Sequence, residues 1–209
     1  MSDAVLKVLV LGDCATGKTS IIKRYCHSLF SSHHKTTIGV DFALKQLKVD
    51  GRSVRLQLWD IAGQDRFGAI ARVYYKDALG ALLVMDLSRD VQESLDSALA
   101  WKEEIDNKVL LPNGKPLPVL LVANKCDLES AAISGADKAL LDAFVEEKGF
   151  IGWIKTSAKL NTNVSKCAQK IVLEILSHDD VVVSNQSPRS SEIELKSKAD
   201  NSGGGGGCC

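Results

Sequence analysis

The sequence predicts a three-layer α/β fold: a mostly parallel six-stranded sheet with one antiparallel strand and helices on both faces. Three observations carry that expectation. Short, almost wholly apolar runs, the mark of strands buried on both faces, recur at residues 5–11, 79–87 and 117–123. Segments with helical apolar spacing alternate with them. Two runs of alternating polarity flank Asp50-Gly51, a turn pair that makes a hairpin and supplies the antiparallel strand.

Each element follows in order. Residues 5–11 run into Gly12, and 18–28 carry Ile21, Ile22 and Tyr25 at helical spacing. Residues 42–49 and 54–59 are the hairpin strands, and 79–87 is a further buried strand. Residues 91–111 and 136–148 read as amphipathic helices around the strand 117–123, with Gly149 placed to stop the second. Residues 152–156 form the last strand. Residues 163–176 form the last helix, with Val164, Ala168, Ile171, Val172 and Ile175 as its apolar stripe. The domain is therefore expected over residues 1–177. Residues 178–209 are rich in Ser, Asp, Asn and Gly with no sustained period, so a disordered tail is expected there. Five glycines at 203–207 make its end a flexible spacer.

Charge excludes one class of partner. The 26 basic residues balance 26 acidic ones, and phosphate-backbone binding needs a basic surplus, so nucleic acid is not the expected ligand. Residues 1–10 hold no apolar run sufficient for a signal peptide, and no segment approaches the roughly 20 apolar residues of a membrane span. Cys14, Cys26, Cys126 and Cys167 are scattered through motif and core-like segments, which reads as free thiols in a reducing compartment.

Four motifs then occur in a fixed order, each at the end of an expected strand. Gly12-Asp13-Cys14-Ala15-Thr16-Gly17-Lys18-Thr19 lies between a strand and a helix, the context of a phosphate-binding loop. The amides around Ala15, Thr16, Gly17 and Ser20 form an anion cradle with the helix N-terminus. Lys18 adds a charge between the β- and γ-phosphates, and the Thr19 hydroxyl is a ligand for Mg²⁺. In Asp60-Ile61-Ala62-Gly63-Gln64, Asp60 at the end of a strand is expected to hold the metal through a water. Gly63 offers its N–H to the γ-phosphate, and Gln64 orients the attacking water. Thr37, ahead of Ile38-Gly39, is the expected second threonine on the metal, in preference to Thr36. Residues 31–40 and 61–75 would then be two loops ordered by the γ-phosphate and loosened on hydrolysis.

The third and fourth motifs read the base. In Asn124-Lys125-Cys126-Asp127, the Asp127 carboxylate accepts from guanine N1–H and the 2-amino group, a pair that adenine lacks. Asn124 ties loops together and reaches the base, and the Lys125 stem lies along the ring. Ser157-Ala158-Lys159 closes over the base, with the Ala158 N–H on the guanine oxygen, and Phe30 stacks edge-on at the rim.

From residue 7 to about 176 these motifs closely resemble the Ras superfamily of small GTPases, and within it the Rab family. The resemblance implies the P-loop GTPase version of the α/β fold, with GTP/GDP and Mg²⁺ as ligands. Thr37-Ile38-Gly39-Val40-Asp41-Phe42 and Leu58 to Phe67 look like Rab switch sequences. Ile61, residues 111–116 and residues 149–153 look like the branch associated with lysosome-related organelles and late endosomal traffic. Cys14-Ala15 stands where many Rabs have Ser-Gly, and Asp65 replaces the usual Glu. The resemblance implies Ile38, Gly39, Phe42, Trp59 and Tyr74 as an effector-binding surface, the last three matching an aromatic trio. It implies a nucleotide exchange factor, a GTPase-activating protein, a GDP-dissociation inhibitor, a prenylation escort protein and effectors as partners. The terminal Cys208 and Cys209 resemble the Rab end that carries two geranylgeranyl groups. Residues 179–209 hold five acidic residues against three basic ones, so a polybasic second signal is missing and two lipid chains are needed. The expected location is the cytoplasmic face of endosomal, lysosome-related or other vesicle membranes, with a cytosolic pool when GDP is bound.

Overall fold

The computed structural model describes residues 4–33, 36–64, 71–128 and 135–178. The tail expected beyond His178, with Cys208 and Cys209, lies outside the described residues, as do Lys35 and residues 65–70 of the two expected loops. Eleven elements follow in order: β1 (Ala4–Leu11), α1 (Lys18–His27), β2 (Val40–Val49), β3 (Arg52–Ile61), α2 (Ala71–Tyr75), β4 (Gly80–Asp86), α3 (Val91–Lys108), β5 (Val119–Asn124), α4 (Gly135–Glu147), β6 (Trp153–Lys155) and α5 (Val164–Ser177).

The strands form one six-stranded sheet in the order β2-β3-β1-β4-β5-β6. Every neighbouring pair is parallel except β2 with β3, the hairpin turning at Asp50-Gly51. Both turn residues have positive φ, 49° and 76°, the conformation a tight hairpin of this hand demands. β4 and β5 are buried at every position, as their unbroken apolar runs require. From β1 the chain crosses to β3 on one side, and the later strands add on the other. Right-handed crossovers accordingly put α1 on one face and α2, α3 and α4 on the opposite one. α5 returns to pack beside α1, its stripe of Val164, Ala168, Ile171, Val172 and Ile175 buried over the sheet. Gly80 in β4 lies directly beneath this helix, 3.0–3.1 Å from Ile175 and Ile171 atoms if a Cβ were added.

Three of the differences from the sequence reading have a local reason. α3 ends at Lys108 rather than 111, because Pro112 disfavours helical backbone at Leu111. Leu111 instead closes a turn, accepting from Gly114 N–H and donating to the Lys115 carbonyl. β5 starts at Val119 because Pro118 has no N–H for a ladder. The five-residue α2 falls inside the segment expected to be a loop; it is too short to display a helical period.

The reversal of strand order at β1 opens a crevice at the carboxyl edge of the sheet, where ligands of such folds bind. β1, β3, β4 and β5 end there at Leu11, Ile61, Asp86 and Asn124.

Candidate nucleotide-binding site

The loop from Gly12 to Gly17 owes its path to two glycines. Gly12, at φ 132°, lies so close to the Val84 carbonyl of β4 that a side chain has no room, and Gly17, at φ 96°, abuts the Asn124 amide. α1 begins immediately after Gly17, which has no side chain to cap it, so its first amides point toward the loop. Ser20 sits in that first turn. Ala15 itself takes positive φ, 64°. Lys18 curls back over the loop, donating to the Gly12 and Asp13 carbonyls, each at 2.8 Å. Burial holds its ammonium below the ordinary lysine value, against the raising influence of Asp60. Thr16 is buried and its hydroxyl donates to the Asp13 carbonyl at 3.0 Å.

Three oxygens from distant segments meet beside this loop. The Thr19 hydroxyl bonds the Asp60 carboxylate, and it lies 2.7 Å from the Thr37 hydroxyl. Thr36 is exposed. Asp60, at the end of β3, is only 2% exposed, and its Oδ1 has no hydrogen-bond partner. Burial raises this carboxyl above the ordinary aspartate range, opposed by the Thr19 hydroxyl and Lys18. A buried carboxylate oxygen left without a donor, next to two hydroxyls, is a hard-oxygen set that suits Mg²⁺, which keeps waters for its remaining positions. Gly63 lies against the phosphate loop: an added Cβ would come within 2.6 Å of the Asp13 carbonyl carbon and 2.9 Å of the Gly12 oxygen. Gln64 follows it with an exposed side chain.

At the base end, Asn124 is 1% exposed and works as a cross-brace. Its Nδ2 donates to the Thr16 carbonyl at 2.9 Å. Its Oδ1 accepts from the Thr156 hydroxyl at 3.2 Å and from Ala158 N–H at 3.3 Å. The Ala158 amide expected on a guanine oxygen thus has Asn124 as its partner here. Asp127 accepts from the Ser157 hydroxyl at 2.6 Å, which fixes the carboxylate's orientation, and Lys159 lies 3.9 Å away. Lys125 has positive φ, 66°, and its head group bonds Asp86 at 2.6 Å, so both ends of its stem are held. Burial pushes the Asp86 carboxyl up, but bonds from Lys125 and Ser88 outweigh it and leave the group below the ordinary aspartate range. Phe30 is exposed at the rim, its ring 5.8 Å from the Arg24 guanidinium.

Several groups at the site were not singled out from the sequence. Arg24 reaches from α1 to the Ala158 carbonyl at 2.8 Å and the Lys159 carbonyl at 3.1 Å, while also bonding the Ser28 carbonyl at 2.8 Å. Arg89 donates to the Cys14 carbonyl at 3.0 Å and pairs with Asp86 at 3.5 Å. Nothing local separates these arginines from solvated ones. Asp86 was findable: like Asp60, it is a lone carboxylate ending a buried strand.

The outer surface of β2 and β3 carries the aromatic residues. Phe42 and Trp59 are register partners and stack, with centroids 6.0 Å apart at 28°. Phe42 is 60% exposed and Ile38 92% exposed, and the Lys7 ammonium sits 3.9 Å over the Trp59 ring. Gly39, at φ 70°, has open space around it, and its carbonyl accepts from Ala62 N–H at 3.0 Å. Tyr74 is half-buried on α2 against the core. Among the described residues no helix is long and apolar enough to cross a membrane.

Known proteins resemble this chain over nearly its whole length. The Ras family matches residues 7–177. Ras-related protein Rab-32 of Sus scrofa is 50% identical over 197 residues, covering 94% of this chain and 83% of that protein. Its counterpart in Homo sapiens is 54% identical over 173 residues, covering 82% and 75%. Ras-related protein Rab-7L1 of Mus musculus is 41% identical over 208 residues, covering 99% and 98%.

Proposed function

The chain belongs to the Ras family, whose members are GTP hydrolases, and on that premise we propose a membrane-anchored switch of vesicle traffic that recruits effectors while GTP is bound. The observation that carries the reading is the meeting of Thr19, Thr37 and Asp60. Thr37 belongs to a connecting segment, whereas Thr19 and Asp60 stand on regular elements. A loop residue within the ligand set gives that loop an interaction to lose when the terminal phosphate leaves.

GTP and water give GDP and phosphate. Lys18 and the amides from Ala15 to Ser20 stabilise charge on the β- and γ-phosphates, and the Gly63 N–H holds a γ-oxygen. Gln64 orients the water for in-line attack. Mg²⁺, held by Thr19, Thr37 and the Asp60 carboxylate, supplies charge neutralisation between the phosphates when bound. Asn124, Lys125, Asp127, Ser157, Ala158 and Lys159 select guanine, with Phe30 at the rim. Turnover without help is slow, and an activating protein accelerates it. An exchange factor reloads the site, and a dissociation inhibitor retrieves the GDP form to the cytosol. Residues 1–177 form the catalytic domain, and residues 178–209 tether it through geranylgeranyl groups on Cys208 and Cys209, attached with the help of an escort protein. The membranes are endosomal or lysosome-related, as the resemblance carried by Ile61 and residues 111–116 and 149–153 implies. Effectors dock on Ile38, Gly39, Phe42, Trp59 and Tyr74.

Two measurements test this reading. Purified protein should retain guanine nucleotide against an ATP excess on the order of a hundredfold. Gln64→Leu should slow single-turnover hydrolysis by at least about tenfold and accumulate the GTP form in cells. Displacement by ATP, or wild-type hydrolysis in Gln64→Leu, would overturn it.

A further inference from the structure

The phosphate loop is held from behind by α3. Asp13 Oδ2 accepts from the Ser97 hydroxyl at 2.5 Å, and Oδ1 accepts from the Trp101 indole N–H at 2.9 Å. These donors stand four residues apart on α3, so they share one helix face. The carbonyl of the same Asp13 accepts from Lys18 Nζ and from the Thr16 hydroxyl. One residue therefore links α3, through its side chain, to the loop and its lysine, through its main chain.

Packing alone does not set the loop's height at this point. Gly12 is pressed against β4, but a cavity of about 120 Å³ opens beyond it, bordered by Asp13, Thr16, Asp86, Arg89, Ser97 and Trp101. Atoms lining a void lack contacts on that side, so the hydrogen bonds to Asp13 carry the positioning that close packing supplies elsewhere. Trp101 is buried in α3, and a water entering this space in place of the carboxylate would satisfy its N–H without tethering the loop.

We propose that Asp13 is a positioning residue for the phosphate site and that α3, through Ser97 and Trp101, sets how long the nucleotide stays bound. The inference rests on the nucleotide-binding reading given above. An anion cradle of amides works only when the amides are fixed before the anion arrives. Freeing Asp13 loosens the loop and lets a carboxylate approach the phosphates, and both effects favour release.

The test uses the full-length protein charged with a fluorescent GDP. Release is followed in the wild type and in Ser97→Ala, Ser97→Thr, Trp101→Phe and the Ser97→Ala/Trp101→Phe double variant. The double variant should release GDP at least about tenfold faster, and each single removal about threefold faster. Ser97→Thr keeps the hydroxyl and should stay within about twofold of wild type. The ³¹P resonance of the bound β-phosphate should move in the double variant, while preference for GDP over ADP persists. Trp101→Phe keeps the ring and Ser97 is half-buried, so the single variants stay readable if the double one fails to fold. Unchanged release in the single variants, or faster release with an unmoved β-phosphate resonance and a lowered Tm, would overturn the proposal. A wild type that retains no GDP would remove the nucleotide reading and this proposal with it. Retention with unaltered variant rates would remove only the α3 connection.

Discussion

Replacing Arg24 by methionine should shorten nucleotide residence about thirtyfold and leave the metal end of the site intact. Arg24 stands in the last turn of α1, whose first turn carries Lys18 and Thr19. Its guanidinium holds the carbonyls of Ala158 and Lys159, in the segment proposed to close over the base, and that of Ser28. A bond from a charged donor contributes about 1.5–3 kcal/mol where water cannot compete. The Ala158 contact is partly buried and falls near the lower figure; the other two are exposed and contribute a few tenths each. Together they amount to roughly 2 kcal/mol, which at 1.4 kcal/mol per decade is about thirtyfold in the release rate. Methionine keeps the aliphatic stem and its packing while deleting every donor. Release of a fluorescent GDP measures the effect, and a magnesium titration of the same sample checks the other end of the site. Residence within about twofold of wild type, or a weakened magnesium dependence, would refute the reasoning, because the lost contacts all lie at the base end.

Other changes give distinct signatures. Gly63→Ala would set a Cβ 2.6 Å from the Asp13 carbonyl carbon and 2.9 Å from the Gly12 oxygen, backbone that cannot yield. Hydrolysis should fall at least about tenfold while preference for guanine survives, as single-turnover assays and ATP competition would measure. Asp86 has a folded pKa below its unfolded value, so its contribution is full above about pH 4 and is lost as pH falls through the lower folded value. Asp86→Asn should therefore be less stable than wild type at neutral pH, with the gap narrowing below about pH 4 in urea titrations; a gap independent of pH would contradict this. Changing Cys208 and Cys209 to serine should move the protein wholly into the cytosolic fraction of cells, and persistent sedimentation with membranes would rule out the two-lipid anchor.

Much of this molecule is legible from its chain because the signals are local. Buried parallel strands need unbroken apolar runs, and the phosphate loop needs glycine where backbone or side chain presses close, as at Gly12 against Val84 and Gly17 against Asn124. The meeting of Thr19 with Thr37 and Asp60 followed from each residue's place beside a motif. What escaped is long-range. Arg24 is separated from the Ala158 and Lys159 carbonyls by more than a hundred residues, and the Asp13 contacts with Ser97 and Trp101 join a loop to a helix that carries no motif. Lys125 illustrates the intermediate case: its stem was expected along the base, but its head group's engagement with Asp86 depended on where β4 ended. α2 went unseen because five residues display too little pattern to separate a helical turn from a loop.

A single carboxamide, that of Asn124, joins the two halves of the ligand pocket, reaching Thr16 on one side and Thr156 and Ala158 on the other. Thermodynamic linkage makes such a bond act in both directions. A regulator that displaces the Thr16 carbonyl would free Nδ2 of that carboxamide and so disturb Ala158 across it, and one that displaces Ala158 would disturb Thr16 in turn. On the proposed reading of the site, eviction of the spent nucleotide could then begin from either end, without any protein having to seize both.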